Sequence, residues 1–311
     1  MHSVRFPHVK TVLGVVMLLT VLTLAGCGGG GSGVVSSNLR LGLQQDAITV
    51  YTPVDKAYGL KWKSKTFINE SLSFAAVTKG TIDINECYTT DPAIVVDNFV
   101  LLQDTKNAFP PYNPSPIIRD STLAKSPVIA TTLNGLESHL NTAEQTGLIK
   151  MVSVDHQTVQ AVAQSFLQSQ GLLSSPSNAG AGINLTIGSK NDPDGQLLAE
   201  MYSLLLKNQG FNVTTDLALG QTPVLDGAIR SGKVDIYPEF NGTALAIKNL
   251  PNTTNPQTAY TEAKNYYEQN YQITWLNAAF NLNDSYGYCT SQKIANKYHL
   301  KTIGDLAKQS S

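Results

Sequence analysis

The chain has 311 residues, a formal net charge of −1 and only 14% charged residues, against roughly 25% in an average soluble protein. With no basic run, that balance excludes nucleic acid as a partner and gives a soluble but weakly charged surface. Three cysteines without Cys-x-x-Cys spacing or a nearby Cys/His cluster exclude a zinc-type site, so neither metal nor cofactor is expected.

The N-terminus carries His2, Arg5, His8 and Lys10, then an apolar run over residues 11–24. That run is shorter than the ~20 residues that cross a bilayer core, so it reads as an export signal. It ends in Leu24, Ala25, Gly26 and Cys27, which resembles the lipobox of bacterial lipoproteins, where such a cysteine becomes N-terminal and is acylated. Removal of residues 1–26 and lipidation of Cys27 are expected, placing the chain on the extracytoplasmic face of the cell membrane. Residues 27–38, rich in Gly and Ser, form the tether. Their glycines are no phosphate loop, since no Gly-Lys-Ser/Thr follows. Two thiols remain, Cys87 and Cys289, which in an oxidising compartment either pair or stay buried as free thiols.

Residues 71–78 have helical spacing, Lys79-Gly80 breaks it, and TIDINECYTTD reads as a strand running into a polar turn. VDNFVLLQDTKNAFPPYNPSPIIR predicts a strand and a Pro-rich crossing that cannot be a central helix. Helices are expected over residues 126–144 and 155–170, followed by SSPSNAGAG, residues 174–182, with linker composition. A second beginning follows. Ile183, Leu185 and Ile187 alternate as a strand. Leu197, Leu198, Met201, Leu204 and Leu205 recur at helical spacing, with Gly210 as the C-terminal cap. A strand over residues 211–217, a helix opened by Thr222-Pro223 and stopping near Gly232, and a strand over residues 234–237 complete repeated βαβ units. Such units predict a parallel sheet whose ligands bind beyond the carboxyl ends of the strands. Ser189, Lys190 and Asn191 after one strand and residues 238–243 after another should share that edge, both leading into helix N-termini.

IGSKN, LLAEMYSLLLKNQGF, GAIRSGKVDIYPEFNGTAL, ITWLNAAFN and TIGDLAK resemble the first half of the substrate-binding proteins of quaternary-ammonium (glycine betaine, choline, carnitine) ABC importers. LGLQQDAITVYTPVDKAYGLKW, GTIDINECYTTDPAI, LLQDTKNAFPPYNPSPIIR and VAQSFLQSQGLL resemble that family's second half. Each motif occurs once and the halves stand in reverse order, so the chain reads as a circular permutant with new ends near Leu39 and Lys308. The nine residues of the linker can reach about 30 Å, and domain termini often lie close together. A fusion of two truncated proteins would instead leave incomplete sheets with exposed edges.

The resemblance implies an α/β fold of the two-lobed periplasmic-binding-protein type (type II), circularly permuted. Residues 39–87 plus 282–308 would form lobe 2 and residues 88–281 lobe 1, above a hinge of crossing strands near residues 86–89 and 283–290. It implies a monomeric solute-binding lipoprotein, not an enzyme, that captures choline or glycine betaine between its lobes and delivers it to an ABC permease in the membrane. Gly-x-Ser-x-Gly, His-Glu-x-x-His and Walker patterns are absent, and His139, His156 and His299 stand isolated. A quaternary ammonium has no N–H to donate and needs π faces. Of the 13 tyrosines, Tyr88, Tyr112 and Tyr286 fall on the family's cage positions, as does Phe240, where tyrosine is usual. Lys190 and Thr243 fall on positions that hold a betaine's carboxylate. Asp226 offers either a long-range anionic field or a charge suited to its helix N-terminus. DAITVYTPVD lacks the family's arginine, which moves choline upward. Cys87 and Cys289 fall on the hinge strands, where pairing in register would allow a disulfide. The alternatives within transport are another small cationic or amino-acid solute, or a ligand-sensing lipoprotein.

Overall fold

Ten strands form within residues 33–45 and 47–309, the part of the chain that the structure, a computed structural model, describes. The expected signal peptide and Cys27 lie outside the described residues. In chain order the strands are β1 (Arg40–Leu43), β2 (Ser64–Phe67), β3 (Ile84–Tyr88), β4 (Phe99–Leu101) and β5 (Pro114–Arg119). Then come β6 (Asn184–Gly188), β7 (Asn212–Asp216), β8 (Ile236–Phe240), β9 (Ile273–Trp275) and β10 (Tyr286–Ser291).

They build two five-stranded sheets, ordered β2-β1-β3-β10-β4 and β7-β6-β8-β5-β9. In the first, β1 runs parallel to β2 and β3, while β10 lies antiparallel between β3 and β4. In the second, β6 runs parallel to β7 and β8, while β5 lies antiparallel between β8 and β9. Advancing every strand of the first sheet by five places around the ten reproduces the second. The expected two-lobed α/β architecture is present, and each lobe is completed by one strand from the other half of the chain.

Helices cover the sheets with the faces their spacing supplies. The helix Ile48–Tyr58 buries Tyr51, Val54 and Tyr58, at i, i+3 and i+7, in the core of the first lobe. In the second lobe the helix Pro193–Asn208 starts where the Asp192 side chain accepts from the Gly195 amide. It buries Leu197, Leu198, Met201, Leu205 and Leu206 with Leu185 and Ile187 of β6. Each such side chain contributes roughly 1.5–3 kcal/mol by leaving water. The helix Thr222–Ser231 ends at Gly232, whose φ of 79° is the left-handed conformation that glycine takes at helix ends.

Five expectations are adjusted. The tether does not extend to residue 38: Val34 bridges Gln309, the Val35 amide donates to Lys308 O at 2.9 Å, and Val35 is buried. The chain does not leave its first lobe at Tyr88, because β4 pairs with β10. The crossings are residues 102–113 and 276–285, while the strands expected to cross, β3 and β10, pair with each other inside the first sheet. The helix expected over residues 126–144 is broken into Val128–Asn134, a 3-10 turn Glu137–His139 and Thr142–Ser153. Asn141 caps the last piece by accepting from the Glu144 amide. The helix expected from residue 155 starts at Val159, because Thr158 accepts from the Ala161 amide and fixes the start there.

The linker over residues 174–182 is docked. Ser177 N donates to Asn208 O at 2.9 Å and Gly180 N to Gln209 O at 2.8 Å. A Cβ on Gly180 would fall 2.3 Å from the Phe211 ring, so only glycine passes there.

Candidate functional site

The two crossings are tied to each other and to the end of β3. Tyr112 N donates to Asn283 Oδ1 at 2.8 Å, Asp284 N to Tyr112 O at 3.0 Å, and Thr89 N to Ser285 O at 2.8 Å. Three of the expected aromatic residues meet at this junction. Tyr88 ends β3 and Tyr286 begins β10, directly opposite it in register, with ring centroids 5.0 Å apart. Tyr112, on the other crossing, sits edge-on to Tyr286 at 5.5 Å. All three are half-buried.

Tyr286 also touches Tyr51 at 5.9 Å, a residue the sequence reading did not single out. Tyr51 is fully buried, donates its hydroxyl to Gly287 O at 2.7 Å and packs edge-on against Phe109 and Tyr288. These rings form an aromatic floor, and the signal for it was the helical recurrence of Tyr51, Val54 and Tyr58.

The second lobe contributes differently. Phe240 is buried, and its recorded ring partner is a cation: Lys190 Nζ stands 5.0 Å from its centroid. Among the described residues no ring contact joins Phe240 to the tyrosines. Lys190 is 5% exposed and its ammonium lies 2.6 Å from Glu239 Oε1. Glu239, fully buried, also accepts from Tyr237 OH at 3.0 Å and from the Phe240 amide at 2.8 Å. A buried charge pair survives only with its remaining valences filled in this way. Sequence reasoning placed Glu239 at the sheet edge with residues 238–243 but gave it no part in holding Lys190. Thr243 is half-buried in the short helix Asn241–Ile247 that follows β8. At Gly242 in that helix a Cβ would fall 2.4 Å from Pro111 O and 3.1 Å from the Tyr112 ring, so glycine lets β8's end and the crossing meet.

Asp226 is not brought to this junction by any recorded contact. It accepts from Tyr267 OH at 2.8 Å and pairs with Lys248 at 2.7 Å and Arg230 at 2.9 Å. Its charge is matched inside the second lobe. Cys87 and Cys289 are joined as a disulfide with Cα atoms 5.9 Å apart, one residue from Tyr88 on β3 and three from Tyr286 on β10.

Three cavities surround the tyrosines. One of about 650 Å³ is lined by Tyr88 together with Asp91, Asp192, Asp194, Gln221 and Asp284. Tyr112 lines a second of about 680 Å³, and Tyr286 a third of about 310 Å³ with Asp104. Burial pushes the Asp284 carboxyl up to about 7, with Asp192 and Asp91 adding to the rise and the Thr90 hydroxyl and Lys190 opposing it. Burial, then Asp284 and Asp192, hold Asp194 well above the usual carboxylate range, against the amide of Gln145.

Both groups keep a proton in the folded chain at pH values where unfolded carboxyls, near 3.8, have lost it. Their contribution to stability is present below about pH 4; that of Asp284 is lost as the pH rises through about 7, and that of Asp194 is lost on the same side, above the usual carboxylate range. The carboxyls held low by partners, Asp83 and Asp305, act below that window. The protein is therefore expected to melt several degrees lower at pH 8 than at pH 5.5 in scanning calorimetry. Asp284→Asn, which can still accept from Thr90, should flatten the difference.

Comparison with known proteins gives a consistent pattern. The OpuAC family, described as "Substrate binding domain of ABC-type glycine betaine transport system", matches residues 44–169 and 183–311. The glycine betaine-binding protein YehZ of Escherichia coli (strain K12) is 32% identical over 125 residues, 39% of this chain and 41% of the relative. The carnitine transport binding protein OpuCC of Listeria monocytogenes is 33% identical over 118 residues, 38% of each chain. The chain thus spans about two fifths of the length of these relatives. Among solved structures, the probable amino-acid ABC transporter extracellular-binding protein YtmK from Bacillus subtilis overlays with a TM-score of 0.43 and 8% identity, covering 86% of this chain and 89% of that one.

Proposed function

Because the chain belongs to the family of substrate-binding domains of ABC-type glycine betaine transport systems, we propose that it captures a quaternary ammonium solute, choline or glycine betaine, at the tyrosine junction between its lobes and presents it to an ABC permease. The observation that carries this is the meeting of Tyr88, Tyr112 and Tyr286, drawn from three separate stretches of chain, around one ring. A methylated nitrogen cannot accept or donate hydrogen bonds, and aromatic faces each attract it by roughly 0.5–2 kcal/mol. Phe240, Lys190 and Thr243 stand on the second lobe's side, so a solute bound at both sides favours the closed arrangement. A solute that contacted both states equally would shift nothing.

The chain order is that of a circular permutant. The gap between the two family-matched stretches, residues 170–182, contains the docked linker. Val34 and Gln309 are neighbours, and each curated match follows only about two fifths of either protein, as a linear alignment must when two halves are exchanged. Cys27 is the site of lipid attachment and residues 28–33 the tether, which holds the lobes at the extracytoplasmic membrane face. Titration calorimetry with choline, glycine betaine and carnitine is expected to give micromolar or tighter binding for at least one. No heat with any of the three overturns the assignment.

A further inference from the structure

Two of the cavities beside the tyrosines are alike in size and opposite in character. The one of about 650 Å³ that Tyr88 lines carries four aspartates, so water or a cation suits it. An acyl chain there would strip water from carboxyls without replacing their hydrogen bonds. The one of about 680 Å³ that Tyr112 lines is bounded by no charged residue among the described ones. Its volume lies in the range of about 300–1,000 Å³ that holds a whole small molecule, more than a methylated nitrogen and a hydroxyl fill.

Both lobes build this uncharged chamber. Val50, in the first turn of the helix Ile48–Tyr58, and Ala108, on a crossing, pack on the core of the first lobe. Leu250 packs on a core cluster of the second. A tight turn holds it there: Asn249 takes a φ of 53°, in the left-handed region that asparagine tolerates, and the Leu250 amide donates back to Leu245 O at 2.9 Å. These apolar side chains offer a run of methylenes a surface on either side. Asn252, Thr253 and Thr254 follow on the same loop, with amide and hydroxyl groups that can donate to a carbonyl oxygen. Tyr112 joins the chamber to the junction, since its ring also meets Tyr286.

Resting on quaternary-ammonium capture as proposed above, we infer that the uncharged chamber beside Tyr112 is a second subsite, which takes the acyl tail of an O-acylated choline whose methylated nitrogen sits on the tyrosines. The ester carbonyl meets the loop over residues 252–254, and the hydrocarbon lies between Val50 and Leu250. Because the tail touches both lobes, it adds to the closure that the head group drives.

The test is calorimetric titration of the full chain at pH 7 with choline, acetylcholine and butyrylcholine. Each methylene taken out of water is worth roughly 4-fold in affinity, so butyrylcholine should bind about 10-fold or more tightly than choline, with acetylcholine between them. Ala246→Phe, at an exposed position on the chamber wall, fills the space and should bring butyrylcholine within about 2-fold of choline. Leu250→Ala, which removes part of the apolar surface, should narrow the ratio about 3-fold. Circular dichroism checks the fold of both variants; the exposure of Ala246 lets Ala246→Phe carry the test if Leu250→Ala does not fold. Butyrylcholine binding no more tightly than choline, or a ratio unmoved in the folded variants, overturns the inference while leaving quaternary-ammonium capture intact. No heat with any of the three, or with glycine betaine or carnitine, removes both.

Discussion

Tyr286→Ala is expected to weaken choline binding by roughly 10- to 100-fold, the largest effect of any single ring in the junction. Tyr286 is the hub, with Tyr88, Tyr112 and Tyr51 all within 5.9 Å of its centroid. The substitution removes one π face and also the surface against which Tyr88 and Tyr112 hold their angles. One lost face is worth roughly 0.5–2 kcal/mol, and tenfold in affinity is about 1.4 kcal/mol, so the upper end of the range needs the neighbouring rings to relax. Tyr286→Phe keeps the ring and should stay within about 3-fold of wild type. Calorimetric titration separates these results, and an alanine variant that binds as wild type does would rule the aromatic junction out as the solute's seat.

Replacing both Cys87 and Cys289 by alanine should cost about 3–5 kcal/mol in urea denaturation. The two residues are 202 positions apart, so the bridge removes a very large loop from the unfolded ensemble, where the entropic gain is greatest. It also lies in a small apolar cluster with Ala76, Val77, Ile82 and Phe99, so its loss leaves a gap in the packing. The pairing of β3 with β10 continues without it through five residue pairs. Solute affinity should therefore fall less than stability does. A cost below about 1 kcal/mol would mean that the unbridged chain already keeps β3 and β10 together when unfolded.

Much of the architecture was legible because it rests on periodicity and caps. The alternation in β6, the helical spacing from Leu197 to Leu205 and the glycine after Ser231 are local signals with local causes. The breaks at Gly135 and Asn141 were not read, because an apolar spacing that runs through residues 126–144 hid them. The lobe boundary was not local. β4 has only three residues and owes its place to β10, nearly two hundred positions away, so no window of sequence announces it. The same holds for the site. Tyr88, Tyr112 and Tyr286 could be named from motif positions, whereas the pairing of Glu239 with Lys190 and the gathering of Asp91, Asp192, Asp194 and Asp284 become visible only when separate loops converge. Asp226 illustrates the reverse: its helix position suggested a field, and three partners account for its charge, Arg230 one turn on in its own helix and Lys248 and Tyr267 from later elements.

The exchange of β5 and β10 between the sheets carries a consequence for how the molecule comes apart. Neither half of the polypeptide can finish its own sheet, so excising one would strip the other of an interior strand and open two raw edges. Melting is thus concerted across the whole body, and the seam where synthesis starts becomes a matter of indifference: ten strands on a ring, advanced by half a turn, close into the same pair of sheets.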